Sequence, residues 1–178
     1  IREAIDFLRY YSEEIIKIHN RDSILDGPTG EINTLSYSEK GHFLCISPWN
    51  FPVAILIGQI SAALACGNRV TVKPSEHTSI LGYLVIKKFH KHGVPVSALE
   101  LILGDGTYGD ALSNIKSIKG VAFTGSLNTA KKIQSNLINN HKEIISLIAE
   151  TGGVNVMIAD SSALLEQATD DIILSAFD

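Results

Sequence analysis

The chain has 178 residues, 45% of them hydrophobic and 19% charged, which suits one domain, or one and a fraction, with a sizeable core and excludes a disordered segment. The net charge is −4, and the basic residues are scattered apart from pairs such as Lys87-Lys88 and Lys131-Lys132, which argues against a nucleic-acid surface. The longest apolar run, residues 53–66, holds Gly58, Gln59 and Ser61 and is too short for a bilayer span of about 20 residues; with no signal peptide in view, the chain reads as cytoplasmic.

Residues 1–19 predict an amphipathic helix, with Ala4, Leu8, Tyr11, Ile15 and Ile18 on one face. Residues 20–41 are rich in turn formers around an alternating, strand-like stretch at 32–37. From residue 42, strands and helices alternate. A strand over 42–47 runs into the rigid turn Pro48-Trp49-Asn50-Phe51-Pro52, where two prolines restrict the backbone. The apolar stretch 53–66 predicts a buried helix stopped by Gly67. A strand over 69–73 leads to the turn Pro74-Ser75-Glu76-His77, and Thr78 caps a helix reaching His92. Strand 99–103, a glycine-rich turn and a short helix to Asn114 follow, then strand 119–123, helix 127–139 through Ala130, Ile133, Leu137 and Ile138, strand 143–149, strand 154–158, and a last helix over 163–177 capped by Ser161 or Ser162. This alternation predicts an α/β fold with a mostly parallel sheet and helices on both faces. The turn at Glu150 is too short for a parallel crossover, so strand 154–158 is expected to reverse or to join another sheet.

Two stretches stand out chemically. Phe123-Thr124-Gly125-Ser126 is a strand end running into a helix that Ser126 can cap. The glycine admits close backbone approach, and the helix's free N–H groups and dipole favour an anion. Glu150, between an apolar strand and Gly152-Gly153, sits where open α/β sheets gather their ligands, and is a candidate for chemistry. Gly104-x-Gly106-x-x-Gly109 has the strand–helix context of a dinucleotide fingerprint but lies in the third βα turn, with no clear ribose acid about 20 residues on; turn geometry beside a cofactor site suits it better. Cys45 and Cys66 read as buried free thiols rather than a disulfide or a nucleophile. The histidines are scattered, and His90 and His92 do not share a helix face, so no metal site is expected.

Pro48-Trp49-Asn50-Phe51-Pro52, Lys73-Pro74-Ser75-Glu76, Phe123-Thr124-Gly125-Ser126 and Glu150-Thr151-Gly152-Gly153, in this order and at these separations, resemble the aldehyde dehydrogenase superfamily. The flanks Arg2 to Tyr11, Gly27-Pro28-Thr29-Gly30-Glu31 and Asp160-Ser161-Ser162-Ala163-Leu164, and Thr rather than Leu after Glu150, resemble the glutamate-γ-semialdehyde (pyrroline-5-carboxylate) dehydrogenase part of the bifunctional bacterial proline-utilisation family. The resemblance implies a Rossmann-like NAD-binding domain over 41–153. Residues 1–40 would then be a helix and an oligomerisation arm of a homo-oligomer, and 154–178 the truncated start of a catalytic domain. It implies that Asn50 donates to the oxyanion of a thiohemiacetal, that Lys73 and Glu76 hold the adenosine ribose of NAD, and that Ser126 holds the pyrophosphate. Trp49 and Phe123 would line the cofactor cleft, and Glu150 would activate the water that releases the acid. Ile46, Ser47 and Pro48 would lie at the cofactor from the first motif, and Ser75 from the second. Gly106 and Gly109 would come from the glycine-rich turn, Thr124 and Gly125 from beside Ser126, and Thr151 and Gly152 from beside Glu150.

The family's nucleophile is a cysteine well beyond that glutamate. Of the 28 residues after Glu150 (178 minus 150), none is Cys, and Cys45 and Cys66 do not match the position. The chain therefore reads as a fragment without dehydrogenase turnover of its own. Relatives of this kind also carry an FAD-dependent proline dehydrogenase in a separate domain, of which these residues show nothing. Two other readings stay open: a non-catalytic dinucleotide-binding module, and a dehydrogenase for a different aldehyde.

Overall fold

The computed structural model describes residues 1–19 and 23–177. Residues 20–22, at the head of the turn-rich stretch, and Asp178, at the end of the last predicted segment, lie outside them. A five-stranded sheet forms the centre. Its strands are β3 (His42–Ile46), β4 (Arg69–Lys73), β5 (Leu99–Leu101), β6 (Ile118–Gly125) and β7 (Ser146–Thr151), all parallel, in the order β5-β4-β3-β6-β7. Strands β1 (Ser23–Leu25) and β2 (Asn33–Leu35) precede them as a separate antiparallel hairpin.

Six helices accompany the strands among the described residues: α1 (Arg2–His19), α2 (Ala54–Ala65), α3 (Ser79–Lys91), α4 (Gly106–Ser113), α5 (Leu127–Asn140) and α6 (Leu165–Phe177). Side chains alternate across a strand, so each strand feeds two cores. Cys45, Val70, Val72 and Leu99 pack with Leu56 and Ile60 of α2 and Ile86 of α3 on one face. Leu44, Ile46, Val121 and Phe123 pack with Ala130, Ile133 and Leu137 of α5 on the other. Gly67 (φ 78°) and Gly93 (φ 100°) end α2 and α3 in the left-handed region that glycine adopts without strain. The chain steps outward through β4 and β5, then returns to the far side of β3 for β6 and β7. The β3/β6 junction is therefore the switch point at which open α/β sheets form a ligand crevice.

Local readings needed correction where packing overrode pattern. On α1, Phe7 rather than Leu8 faces inward. Its ring lies on Gly58 of α2, where a Cβ would stand 3.2 Å from Cδ2, while Leu8 is 38% exposed. Ile138 of α5 is 71% exposed, because the buried stripe closes at Leu137. Thr78 does not cap α3 with its side chain; a 3₁₀ turn at Glu76–Thr78 intervenes, and the Thr78 hydroxyl donates back to Ser75 O. The helix expected to begin at 163 begins at Leu165, and Ser162 instead bonds Asp160. Cys66, at the C-cap of α2, is exposed rather than buried.

The largest departures concern the last predicted strands. Strand 143–149 is shifted to Ser146–Thr151, so Glu150 and Thr151 lie within the ladder rather than beyond it. Residues 154–158 form no strand. They alternate as a strand would, but no neighbouring strand among the described residues meets them, and Val154 is 91% exposed. A strand without a ladder partner has nowhere to place its backbone hydrogen bonds.

Candidate functional site

The sheet's register decides which motif residues meet. Ile46 of β3 is the partner of Lys73 on β4 and of Phe123 on β6. Phe123 is in turn opposite Ala149, Thr124 opposite Glu150, and Gly125 opposite Thr151. Ser47 extends the row by donating its N–H to Lys73 O at 3.2 Å. The ends of four strands thus share one edge, and the turn Pro48–Pro52 and the Thr124–Ser126 segment leave it on either side of the switch point.

Lys73 is 4% exposed. Its Nζ donates to Pro74 O at 3.2 Å and lies 3.9 Å from Glu76 Oε2. Burial pulls its pKa down, opposed by the charges of Glu76 and Asp105. Ser75 Oγ accepts from the N–H of His77 and starts the short turn that presents Glu76 to solvent. Gly109 of α4 lies beside the Lys73 stem. A Cβ there would stand 3.7 Å from Lys73 Cδ and 3.9 Å from Ile46 Cδ1. Gly106 opens α4, whose cap is the Asp105 carboxylate, held below the usual range first by the Thr107 hydroxyl and then by the Thr107 N–H.

Ser126 is the N-cap of α5. Its backbone is extended (φ −74°, ψ 146°), and its Oγ accepts from Thr129 N at 3.2 Å and bonds Thr129 Oγ1 at 2.9 Å. That hydroxyl is therefore occupied, and the anion-binding capacity lies in the first-turn N–H groups it leaves uncapped. Phe123 is buried, with its ring over Gly125, where a Cβ would meet the ring edge at 2.6 Å. Trp49 is 64% exposed, and Asn50 beside it is also exposed. The Ser47 hydroxyl is buried and has no partner among the described residues. One buried ammonium with a single backbone acceptor, a partly open helix start and an unspent hydroxyl suit a ligand carrying sugar hydroxyls and a phosphate.

Glu150 lies on the other face of the sheet. With Thr124 it borders an apolar cavity of about 500 Å³ between β6–β7 and the helices α1 and α2, which Phe7, Tyr11 and Ile55 also line. Gly152 and Gly153 beyond it are exposed, with open space around them.

Gln59, an additional candidate, was not singled out from the sequence. From α2 its Nε2 donates to Ile46 O (3.2 Å) and to Thr124 Oγ1 (3.1 Å), tying β3 to β6 across the switch point, while its Oε1 is buried without a partner. The available signal was a long polar side chain inside an otherwise apolar helix. Among the described residues, no group of His, Cys, Asp and Glu is arranged to hold a metal ion, and no helix is long and apolar enough to cross a membrane.

Comparison with known proteins gives this arrangement a family. The chain is 45% identical over 181 residues to the bifunctional protein PutA of Rhizobium meliloti, covering all of this chain and 14% of that protein. It is 36% identical over 179 residues to 1-pyrroline-5-carboxylate dehydrogenase of Anoxybacillus flavithermus, covering 98% of this chain and 35% of that enzyme. A solved structure of proline utilization A with proline bound in remote sites superposes with a TM-score of 0.92 at 48% identity, over 99% of this chain and 18% of that one. The structure of PnpE in complex with nicotinamide adenine dinucleotide superposes at 0.87 and 27% identity, over 98% of this chain and 35% of that one. The chain thus spans about a seventh of the first of these relatives. The aldehyde dehydrogenase family profile matches residues 1–178, and the chain belongs to the aldehyde dehydrogenase family.

Proposed function

We propose that these residues supply the NAD-binding part and the water-activating glutamate of a dehydrogenase that oxidises L-glutamate γ-semialdehyde to glutamate. The observation that carries the reading is the register: at the switch point one end of the sheet brings Ser47 and Lys73 level with Thr124 and Glu150, the last two on the face opposite Lys73. The similarity to 1-pyrroline-5-carboxylate dehydrogenase and to PutA supports the substrate.

In this reading Lys73 and Glu76 hold ribose hydroxyls, and the first turn of α5 holds the pyrophosphate. NAD, when bound, accepts the two electrons the aldehyde gives up. Asn50 donates to the developing oxyanion. Glu150 takes a proton from the water that attacks the acyl group carried by a nucleophilic cysteine, which the sequence does not supply after Glu150. The β1–β2 hairpin, with Ile24 and Leu35 exposed, would serve as an arm between copies; sedimentation with and without residues 23–35 would check this.

Titration of NAD into the purified chain tests the core of the reading. Trp49 fluorescence or calorimetry should report saturable binding, lost in Lys73→Ala, and NADH should not accumulate with aldehyde. Absence of NAD binding by the folded native chain would overturn the cofactor assignment. Kinetics of a polypeptide carrying this segment and the nucleophile, with glutamate semialdehyde against aliphatic aldehydes, would decide the substrate.

A further inference from the structure

The wall of the cleft formed by α4 and α5 is joined by polar groups. Asn136 of α5 donates from Nδ2 to Asp110 Oδ1 (2.6 Å) and to Ser113 Oγ (3.0 Å), both on α4. Ser113 is fully buried, and its hydroxyl donates onward to Asp110 O at 2.7 Å. Lys132, four residues before Asn136, reaches Asp110 Oδ2 at 3.2 Å. The Asp110 carboxyl is held below its ordinary range by the Asn136 amide first and by Lys132 second. From α4 itself, Leu112 packs against the apolar cluster beneath. An eight-residue helix with so small an apolar footprint takes its position from polar ties of this kind; Asn140 Nδ2 to Asn114 Oδ1 (2.6 Å) and His141 Nε2 with Ser113 O (2.9 Å) hold its C-terminal end, while the Asn136 brace acts beside Gly109.

The brace sits one residue from the clamp. Gly109 precedes Asp110, and Gly109 is where α4 meets the Lys73 stem, with a Cβ position 3.7 Å from Cδ and 3.9 Å from Cε. The Lys73 stem lies beside Gly109, and its Nζ engages the Pro74 carbonyl. A displacement of α4 therefore opens the space that fixes where the ammonium points.

We propose that Asn136 is a positioning residue for the cofactor clamp: through Asp110 and Gly109 it holds α4 against Lys73 and so sets the direction of the Lys73 ammonium. The functional meaning rests on the reading of Lys73 as a ribose-holding residue; the mechanical coupling does not.

Two readouts on the 178-residue chain separate these. In the first, reductive ¹³C-methylation of lysines is followed by NMR. Lys73 should react slowly in the native chain and about tenfold faster in Asn136→Ala, as expected when local opening becomes easier, while the surface lysines keep their rates. Asn139→Ala serves as the helix control, because Asn139 bonds Ser135 within α5. In the second, the NAD dissociation constant should rise about tenfold in Asn136→Ala and in Asp110→Ala, with the double variant falling well short of the product of the two, because they share the Asn136–Asp110 bond. Asp110→Ala cuts the bond from the other helix and carries the test if Asn136→Ala does not fold. A native labelling rate for Lys73 in a folded variant would overturn the proposal. Faster labelling in a chain that binds no NAD in its native form would uphold the positioning role and refute the dinucleotide reading instead.

Discussion

Thr124 of β6 and Glu150 of β7 stand opposite each other in the parallel ladder, and Gln59 holds the Thr124 hydroxyl from above at 3.1 Å. The position of the glutamate is thus set by backbone pairing on one side and by an amide tie on its neighbour; among the described residues its carboxylate makes no bond of its own. Its chemistry should therefore be separable from the fold. Glu150→Gln should change unfolding free energy by no more than about 0.5 kcal/mol, the usual range for an exposed substitution, and leave NAD affinity intact. In a polypeptide carrying this segment and the nucleophile, it should abolish acid release. Urea unfolding and single-turnover kinetics would check the two halves, and a large loss of stability would show the carboxylate to be structural.

Ser126 offers a second separation. Its hydroxyl caps α5 through Thr129 N, so Ser126→Ala should cost about 1 kcal/mol, typical of a lost N-cap, read from the urea midpoint. Because the anion would be held by backbone N–H groups, NAD affinity should fall only about threefold or less, given that a helix-terminus contribution survives the loss of one hydroxyl. A complete loss of binding in the folded variant would assign the hydroxyl itself to the ligand.

At the opposite edge of the sheet, His42 is buried in a directed chain of hydrogen bonds. The Thr71 hydroxyl donates to Glu100 Oε2 (3.1 Å), so it accepts from His42 Nε2 (2.8 Å), and Nδ1 accepts from Ser117 Oγ (3.1 Å). Burial lowers the His42 pKa, with the nearby Arg69 charge acting the same way and Glu100 opposing. The unfolded chain takes up this proton at about pH 6.5, and the folded chain only at lower pH. Below that value the unfolded state binds more protons, so stability should be full above it and decline as pH falls toward the folded pKa. Urea midpoints at about pH 7.5 and 5.5 should differ in the native chain and differ less in His42→Gln.

The two cysteines should differ sharply. Cys45 is buried, and burial pushes its thiol pKa up to about 12, so little reactive thiolate forms. Cys66 is exposed. A disulfide reagent at neutral pH should titrate one thiol at once and the second only on unfolding, and mass mapping should place the first at Cys66.

The strand–helix alternation and the cap at Ser126 were legible in the sequence, because each rests on local chemistry. An apolar run reads as a strand or a buried helix, a glycine as a stop, and Ser before an amphipathic stretch as a cap. What the linear pattern could not carry was anything that depends on a neighbour. The periodicity of α1 placed Leu8 inward, but the space over Gly58 of α2 is filled by Phe7 instead. Residues 154–158 have strand composition but no ladder partner, whereas Glu150 and Thr151 join β7 because Thr124 and Gly125 are there to pair with them. Gln59 was only a polar residue within an apolar run until the fold brought Ile46 and Thr124 within reach of its amide. By itself the sequence determined which residues could bond or bury, through side-chain chemistry and spacing; the tertiary structure alone decided which of them meet, because hydrogen bonds and packing between distant segments act only once the sheet's register has brought those segments to contact distance.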